Sequence, residues 1–361
     1  MQYKPRLDGL RCVAIAMVLL GHYVPSIGKL VSGIYGVNLF FVLSGFLITS
    51  ILLSERGKKI SLSYKRFISR RALRIFPIYY LAILFFLIIN ADGIKNDFPY
   101  LATYTYNFRA GNMRGWEYYL YSAYWSLSVE EQFYLVFPFI ILLLNNRRGL
   151  LMGVLIMIII VGLLQRYLNI FHMATHNYVN PVSNMATLAM GSLGALLRTE
   201  NKLKTNFFES VWVEGMILAL LIITLAYPKE LIFFVGFPFL NLYFVVKAAV
   251  YSFRIKIIDK LLTAKWSLFI GRISYGIYIY HIMVLHFFTE YIFNPLWAKI
   301  AFDKIGYLSK LQFNASLIKF PFVTALTIFI AYLSFKYIEA PILRLKDKYF
   351  QYKTFSSLVA K

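Results

Sequence analysis

The chain is poor in cysteine, in acidic residues and in charge of any kind. Cys12 is the only cysteine in 361 residues, which excludes an internal disulfide framework and any site built from several thiolates. Asp and Glu number 16 against 38 Lys and Arg, a formal charge of +22. Charged residues make up 15% of the chain, where a soluble globular domain carries about 25%. There is no low-complexity tract and no clear internal repeat, which excludes a solenoid or a disordered linker as the organising feature. No metal site is read from the sequence.

The chain is rich in apolar residues: 60% are hydrophobic and 18% aromatic, with a mean hydropathy of +0.64. One core cannot hide so much apolar surface. The apolar residues also come in blocks of the ~20 residues that a helix needs to cross about 30 Å of hydrocarbon. Continuous runs such as 81–89 and 153–164 do not alternate as barrel strands must. The reading is all-α, a polytopic membrane helical bundle.

Ten spans are predicted, at about 8–25, 34–53, 75–90, 125–144, 149–168, 182–198, 209–227, 231–250, 267–292 and 317–338. With the N-terminus inside, 27 of the 38 basic residues fall in inner segments, which supports N-in, C-in. That asymmetry, together with attraction to anionic lipid head groups, accounts for the positive charge without nucleic acid as a partner. The first block follows a short basic start but has no small-residue cleavage site, so it reads as a retained first helix. Residues 1–345 are predicted as one transmembrane domain and 346–361 as a short basic cytoplasmic tail. No fused extracytoplasmic domain is expected, and the outer segments 91–124 and 293–316 are the only places for external structure.

Ionisable groups inside spans cost roughly 2.5–3.5 kcal/mol each on insertion scales and so mark function. Arg11 and His22 lie eleven positions apart, within about 20° of three full turns and separated by a rise of about 16 Å, so they share one face of the first helix. Asp8 precedes Arg11 by three and shares that face. Arg71 and Arg74, three apart in the basic stretch between the second and third spans, can both point at one ligand, and guanidinium forks match phosphate oxygens. An ordinary topogenic basic loop is the alternative. The fourth span opens Trp125-Ser126-Leu127-Ser128-Val129-Glu130-Glu131. Two adjacent carboxylates diverge by about 100°, so one of them is expected to face any given site. They fall at about the depth of His22, where a carboxylate would fix the imidazole's tautomer for general-base chemistry. In the ninth span Ser274, Tyr278 and His281 form one polar stripe. Asp8, Trp125, Ser128, Ser274, Tyr278 and His281 are candidates to line the site.

The chain resembles the acyltransferase 3 family of bacterial membrane acyltransferases. The resemblance rests on Leu7-Asp8-Gly9-Leu10-Arg11 with His22, on Gly36-Val37-Asn38-Leu39-Phe40-Phe41-Val42-Leu43-Ser44-Gly45-Phe46, and on Arg71-x-x-Arg74 before Pro77. It continues through Trp125 to Phe133, Ser274-Tyr275 with Tyr278 and His281, and Ile338-Glu339-Ala340-Pro341. These pieces run in order over nearly the whole chain. Asn180, Asn184 and Thr187 depart from the pattern, which has an Arg or Asp in that region. The resemblance implies ten helices, a bacterial cytoplasmic membrane, and transfer of an acyl group, commonly acetyl, to a surface glycan such as O-antigen, capsule, exopolysaccharide or peptidoglycan. It further implies that Arg11 and His22 are required for transfer, that Arg71 and Arg74 serve the acyl-CoA end, and that acetyl-CoA is a donor substrate with no tightly bound cofactor. His22, oriented by Glu130 or Glu131, would deprotonate the acceptor hydroxyl, with Tyr278, His281 or a bundle amide stabilising the oxyanion; an acyl-His22 relay is the variant. The competing class is a transporter or flippase for a glycan or lipid-linked intermediate, against which there is no pair of broken helices at corresponding places in two halves.

Overall fold

The computed structural model describes residues 3–24, 33–111, 120–171, 179–203, 205–226, 236–299 and 312–349. Each of the ten predicted spans corresponds to a helix: α1 Pro5–Tyr23, α2 Gly33–Leu53, α3 Ile60–Ile88, α4 Trp125–Leu144, α5 Arg148–Phe171, α6 Pro181–Thr199, α7 Val211–Ala226, α8 Phe237–Val250, α9 Lys265–Phe288 and α10 Gln312–Ser334. Among the described residues there is no strand. A hydrocarbon environment dictates this, because a helix satisfies every backbone polar group within its own segment. Six of the helical segments are long and apolar enough to cross a membrane, and α7 and α8 are shorter apolar helices. The chain is a multi-pass membrane protein.

The third span differs from its prediction. Its helix begins at Ile60, so the basic stretch from Lys65 to Arg74 is not a loop but the first turns of α3. Nothing in Ile60 to Phe76 breaks a helix, and Pro77 is accommodated inside it. The outer segment 91–124 contains short helices at Ile94–Ala102 and Tyr106–Gly111 and a 3₁₀ turn at Ser122–Tyr124. They are tied to the bundle by Gln132, whose amide donates to the Tyr104 carbonyl at 2.9 Å and to Asn107 Oδ1 at 2.8 Å. An amphipathic helix, Lys256–Thr263, precedes α9, and Ala340–Tyr349 follows α10. The end of the tail, 350–361, lies outside the described residues, as do parts of both outer segments and the start of the 231–250 span.

The bundle is organised around α2, whose apolar window is 72% buried against 17% for the helix containing α10. It packs most extensively on α6, and small residues set that crossing. A Cβ on Gly191 would stand 2.8 Å from the Phe46 backbone nitrogen, and one on Gly45 would stand 2.8 Å from the Leu188 carbonyl carbon, so the two backbones meet directly. α1 packs on α9 and α2 and makes the same kind of contact: a Cβ on Gly271 would lie 2.6 Å from the Asp8 carbonyl carbon. The functional side chains hang on this α1–α2–α9 wall and on the facing helices α3 and α4.

Candidate active site

Two cavities share three arginines. The larger, about 520 Å³, lies at the end of the bundle where α1 begins; its wall includes Lys4, Asp8, Arg70, Arg272 and Glu339. The inner cavity, about 80 Å³, is walled by Phe40, Phe41, Ser44, Glu130, Glu131 and Tyr278 among others. Arg11, Arg71 and Arg74 line both. They stand at the junction, where a polyanion in the basic vestibule would meet guanidinium groups at the mouth of the inner cavity.

Each arginine comes from the helix geometry of its own segment. Arg11 is braced one turn up α1 by Asp8, its Nη1 2.9 Å from Oδ1; the Tyr3 hydroxyl donates to the other carboxylate oxygen at 2.8 Å. Arg71 and Arg74 are one turn apart on α3. The Arg71 guanidinium lies 5.0 Å from the Tyr134 ring centre, a cation–π contact that holds it flat against α4. Asp8 therefore lines the vestibule and positions Arg11, and Ser274 lines the inner cavity.

The fourth-span carboxylates depart from the sequence reading in two ways. Both glutamates, not one, line the inner cavity, because the cavity wraps around the first turns of α4. Neither is paired with His22. Glu130 accepts a hydrogen bond from the Ser44 hydroxyl on α2, and Ser44 in turn accepts one from Tyr134 at 3.3 Å. Glu131 is buried, and its Oε1 has no hydrogen-bond partner among the described residues. α2 lies between these carboxylates and α1, since α1 packs on α2 and α9 while α4 packs on α2 and α3.

The group that meets His22 comes from α9. Nε2 of His281 is 3.2 Å from Nδ1 of His22, and its Nδ1 is 2.6 Å from the Tyr278 carbonyl oxygen. His281 is 1% exposed, whereas His22 keeps part of its surface accessible. Gly33, at the start of α2, backs onto the ring: a Cβ there would stand 2.9 Å from His22 Cε1. Tyr278 stands between this pair and the inner cavity. Its hydroxyl and that of Ser126 are 2.5 Å apart and share the Ala123 carbonyl, at 3.0 and 3.1 Å. Both hydroxyl protons are thus engaged, as is the His281 Nδ1 proton, so the expectation that Tyr278 or His281 offers a free oxyanion donor is not met in this conformation. His22 lines neither cavity, and the Ser126–Tyr278 latch borders the inner one.

Two of the candidate lining residues point elsewhere. Ser128 donates back to the Tyr124 carbonyl at 3.2 Å, a local bond that a helical serine readily makes, and Trp125 packs edge-on against Phe41 of α2. In their place the structure brings in Ser44, Ser126, Tyr134, Arg70, Arg272 and Glu339. The signals for two of these were a serine inside the apolar second span and a carboxylate closing the tenth. Among the described residues no group of His, Cys, Asp and Glu is arranged to hold a metal.

An acyltransferase-domain family model, acyltransferase 3, matches residues 4–336. The chain belongs to the acyltransferase 3 family. The matched region contains every residue lining the two cavities except Tyr3, Glu339 and Leu343. Among curated relatives, the peptidoglycan O-acetyltransferase OatA of Listeria monocytogenes is 29% identical over 94% of this chain and 56% of its own length. The O-acetyltransferase OatA of Staphylococcus aureus (strain NCTC 8325 / PS 47) is 28% identical over 80% of this chain and 52% of its own length. A protein of S. aureus (strain MSSA476), provisionally named an O-acetyltransferase, is 28% identical over 94% of this chain and 57% of its length. The chain thus spans a little over half the length of the curated relatives it matches. No solved structure matches it significantly. An acyltransferase 3 match sets aside the transporter reading.

Proposed function

We propose that this acyltransferase 3 domain takes an acyl group, acetyl first, from acyl-CoA on the cytoplasmic side of a bacterial cytoplasmic membrane. It passes that group to a hydroxyl of a glycan, surface-exposed or lipid-linked, on the other side. The observation that carries this reading is the placement of Arg11, Arg71 and Arg74 at the mouth shared by a basic vestibule and an inner cavity that also holds Glu130, Glu131 and Tyr278. The phosphates of the donor would sit among guanidiniums that match their oxygens, and the pantetheine arm would enter the inner cavity. That arm has twelve bonds from ester oxygen to sulfur, about 14 Å at the roughly 3.5 Å per three bonds of an extended chain. The rise along α1 from Arg11 to His22 is about 16 Å, so a donor anchored at Arg11 places its thioester near the histidine once the Ser126–Tyr278 latch has moved aside.

His22 then acts as general base. The acceptor O–H bond breaks and its proton goes to the imidazole. The oxygen's electron pair forms the new C–O bond at the thioester carbonyl, the C–S bond breaks, and the thiolate takes the proton back from His22. The name of one relative, the peptidoglycan O-acetyltransferase of Listeria monocytogenes, favours a glycan acceptor. His22→Ala is expected to lower surface-glycan O-acetylation to the level of cells lacking the gene, with the protein still inserted in the membrane. O-acetyl content close to wild type in that variant would overturn the role given to His22.

A further inference from the structure

We infer that His281 is a positioning residue that fixes the tautomer of His22. This rests on the reading of His22 as the base, and begins from a fixed point. The Tyr278 carbonyl oxygen, 2.6 Å from His281 Nδ1, can only accept, so Nδ1 carries the hydrogen. A neutral imidazole has one N–H, which leaves a lone pair on His281 Nε2, directed at His22 Nδ1 across 3.2 Å. Two lone pairs cannot face one another at that distance, so His22 Nδ1 carries its own hydrogen and donates it. His22 Nε2 is then the unprotonated nitrogen. A histidine in water favours the opposite tautomer, with the hydrogen on Nε2, where a base needs its lone pair; the hydrogen bond made by the other nitrogen decides which form exists.

Burial assigns the roles within the pair. His281 is 1% exposed and cannot touch an acceptor, whereas His22 retains accessible surface. The pair is also cross-braced. Tyr23, the residue after His22, donates its hydroxyl to the His281 carbonyl at 3.0 Å and shares a 2.7 Å bond with Thr327 of α10. When His22 Nε2 takes the acceptor's proton, the positive charge spreads along the chain: His22 Nδ1–H donates more strongly to His281 Nε2, and His281 Nδ1–H to the Tyr278 carbonyl. The proton leaves by the same nitrogen, to the thiolate, and the pair returns to its starting tautomers.

The test uses substitutions that copy one ring nitrogen each. In His281→Gln the side-chain amide oxygen reaches the place of Nε2 and can accept from His22; in His281→Asn the amide reaches only the place of Nδ1. Inverted membrane vesicles from the host, which contain the native acceptor, are supplied with radiolabelled acetyl-CoA, and initial transfer rates give apparent kcat and KM. His281→Asn and His281→Leu are expected to lower kcat about 10²-fold or more, the scale of general-base catalysis. The KM for acetyl-CoA should stay within about twofold and His281→Gln should recover to within about tenfold of wild type, on the same scale. Wild-type kcat in the Asn or Leu variant, or a Gln variant no better than Asn, would overturn the inference. His22→Ala in the same vesicles separates the two levels. If it transfers at the wild-type rate, the base assignment itself falls; if it is dead while the Asn variant is normal, only the role of His281 falls.

Discussion

Lys247 and Glu214 are both wholly enclosed, with Nζ 2.6 Å from Oε2. The ammonium also donates to the Phe208 carbonyl at 2.5 Å, and the carboxylate accepts the backbone N–H groups of Arg254 and Ile255 at 2.8 and 3.0 Å. Removing one partner leaves a buried charge without its counterion, a loss of about 3–5 kcal/mol. Lys247→Met is therefore expected to lower the thermal unfolding temperature in detergent sharply, and Lys247→Met with Glu214→Leu to recover only part of the loss, because the two backbone N–H groups lose their acceptor. A single variant as stable as wild type would contradict this. In the sequence Lys247 is a cation inside an apolar block; its partner lies on another helix and cannot be named from local pattern. The same holds for Arg166, which donates to Thr187 Oγ1 at 2.8 Å and to Asn184 Oδ1 at 3.4 Å. Two of the three neutral residues that depart from the family pattern, Asn184 and Thr187, are thus engaged with an arginine supplied by the preceding helix.

At the scale of elements, α1 carries the site at both ends, and its start is tied down by Arg6, whose guanidinium bonds Asp259 of the Lys256–Thr263 helix at 2.6 and 3.0 Å. The Arg6 hydrogen bond, helped by the Phe253 N–H, holds the Asp259 carboxyl below the usual aspartate range. A carboxyl that ionises more readily when folded contributes stability that is complete above its ordinary pKa of 3.8 and fades as the pH falls through the depressed value. Asp259→Asn should thus lower stability at pH 7 by about 0.2–1 kcal/mol, the range of a partly exposed pair, with the difference from wild type closing in acid. A difference that persists unchanged below pH 3.8 would show that packing, not charge, is lost. The long apolar helices were legible because block length and hydropathy report the membrane directly. The start of α3 was not, since basic residues in a row read equally as a loop or as the interfacial turns of a helix. The spacing of Arg11 and His22 on α1 was also legible. That His22 meets His281 and not a glutamate was not, because it depends on α1 packing against α9 while α2 separates it from α4.

For the whole molecule, the excess of +22 becomes a place: Lys4, Arg11, Arg70, Arg71, Arg74 and Arg272 converge on one vestibule at one end of the bundle. Composition reports the sign, and the placement of basic residues along the chain carries the expected inner-side bias. The convergence of helices from the start, middle and end of the chain is a property of the fold, and it favours a ligand site over a topogenic charge distribution, which needs no cavity. The vestibule, the inner cavity and the histidine pair follow one another across the bundle, the order in which a donor entering from one side would present phosphates, arm and thioester. The most direct test is the apparent KM for acetyl-CoA of the Arg71→Ala, Arg74→Ala variant in inverted vesicles. Loss of two charge-assisted hydrogen bonds, each worth about 1.5–3 kcal/mol, should raise that KM at least about tenfold with a smaller change in kcat; a KM equal to wild type would contradict the assignment of the vestibule to the donor.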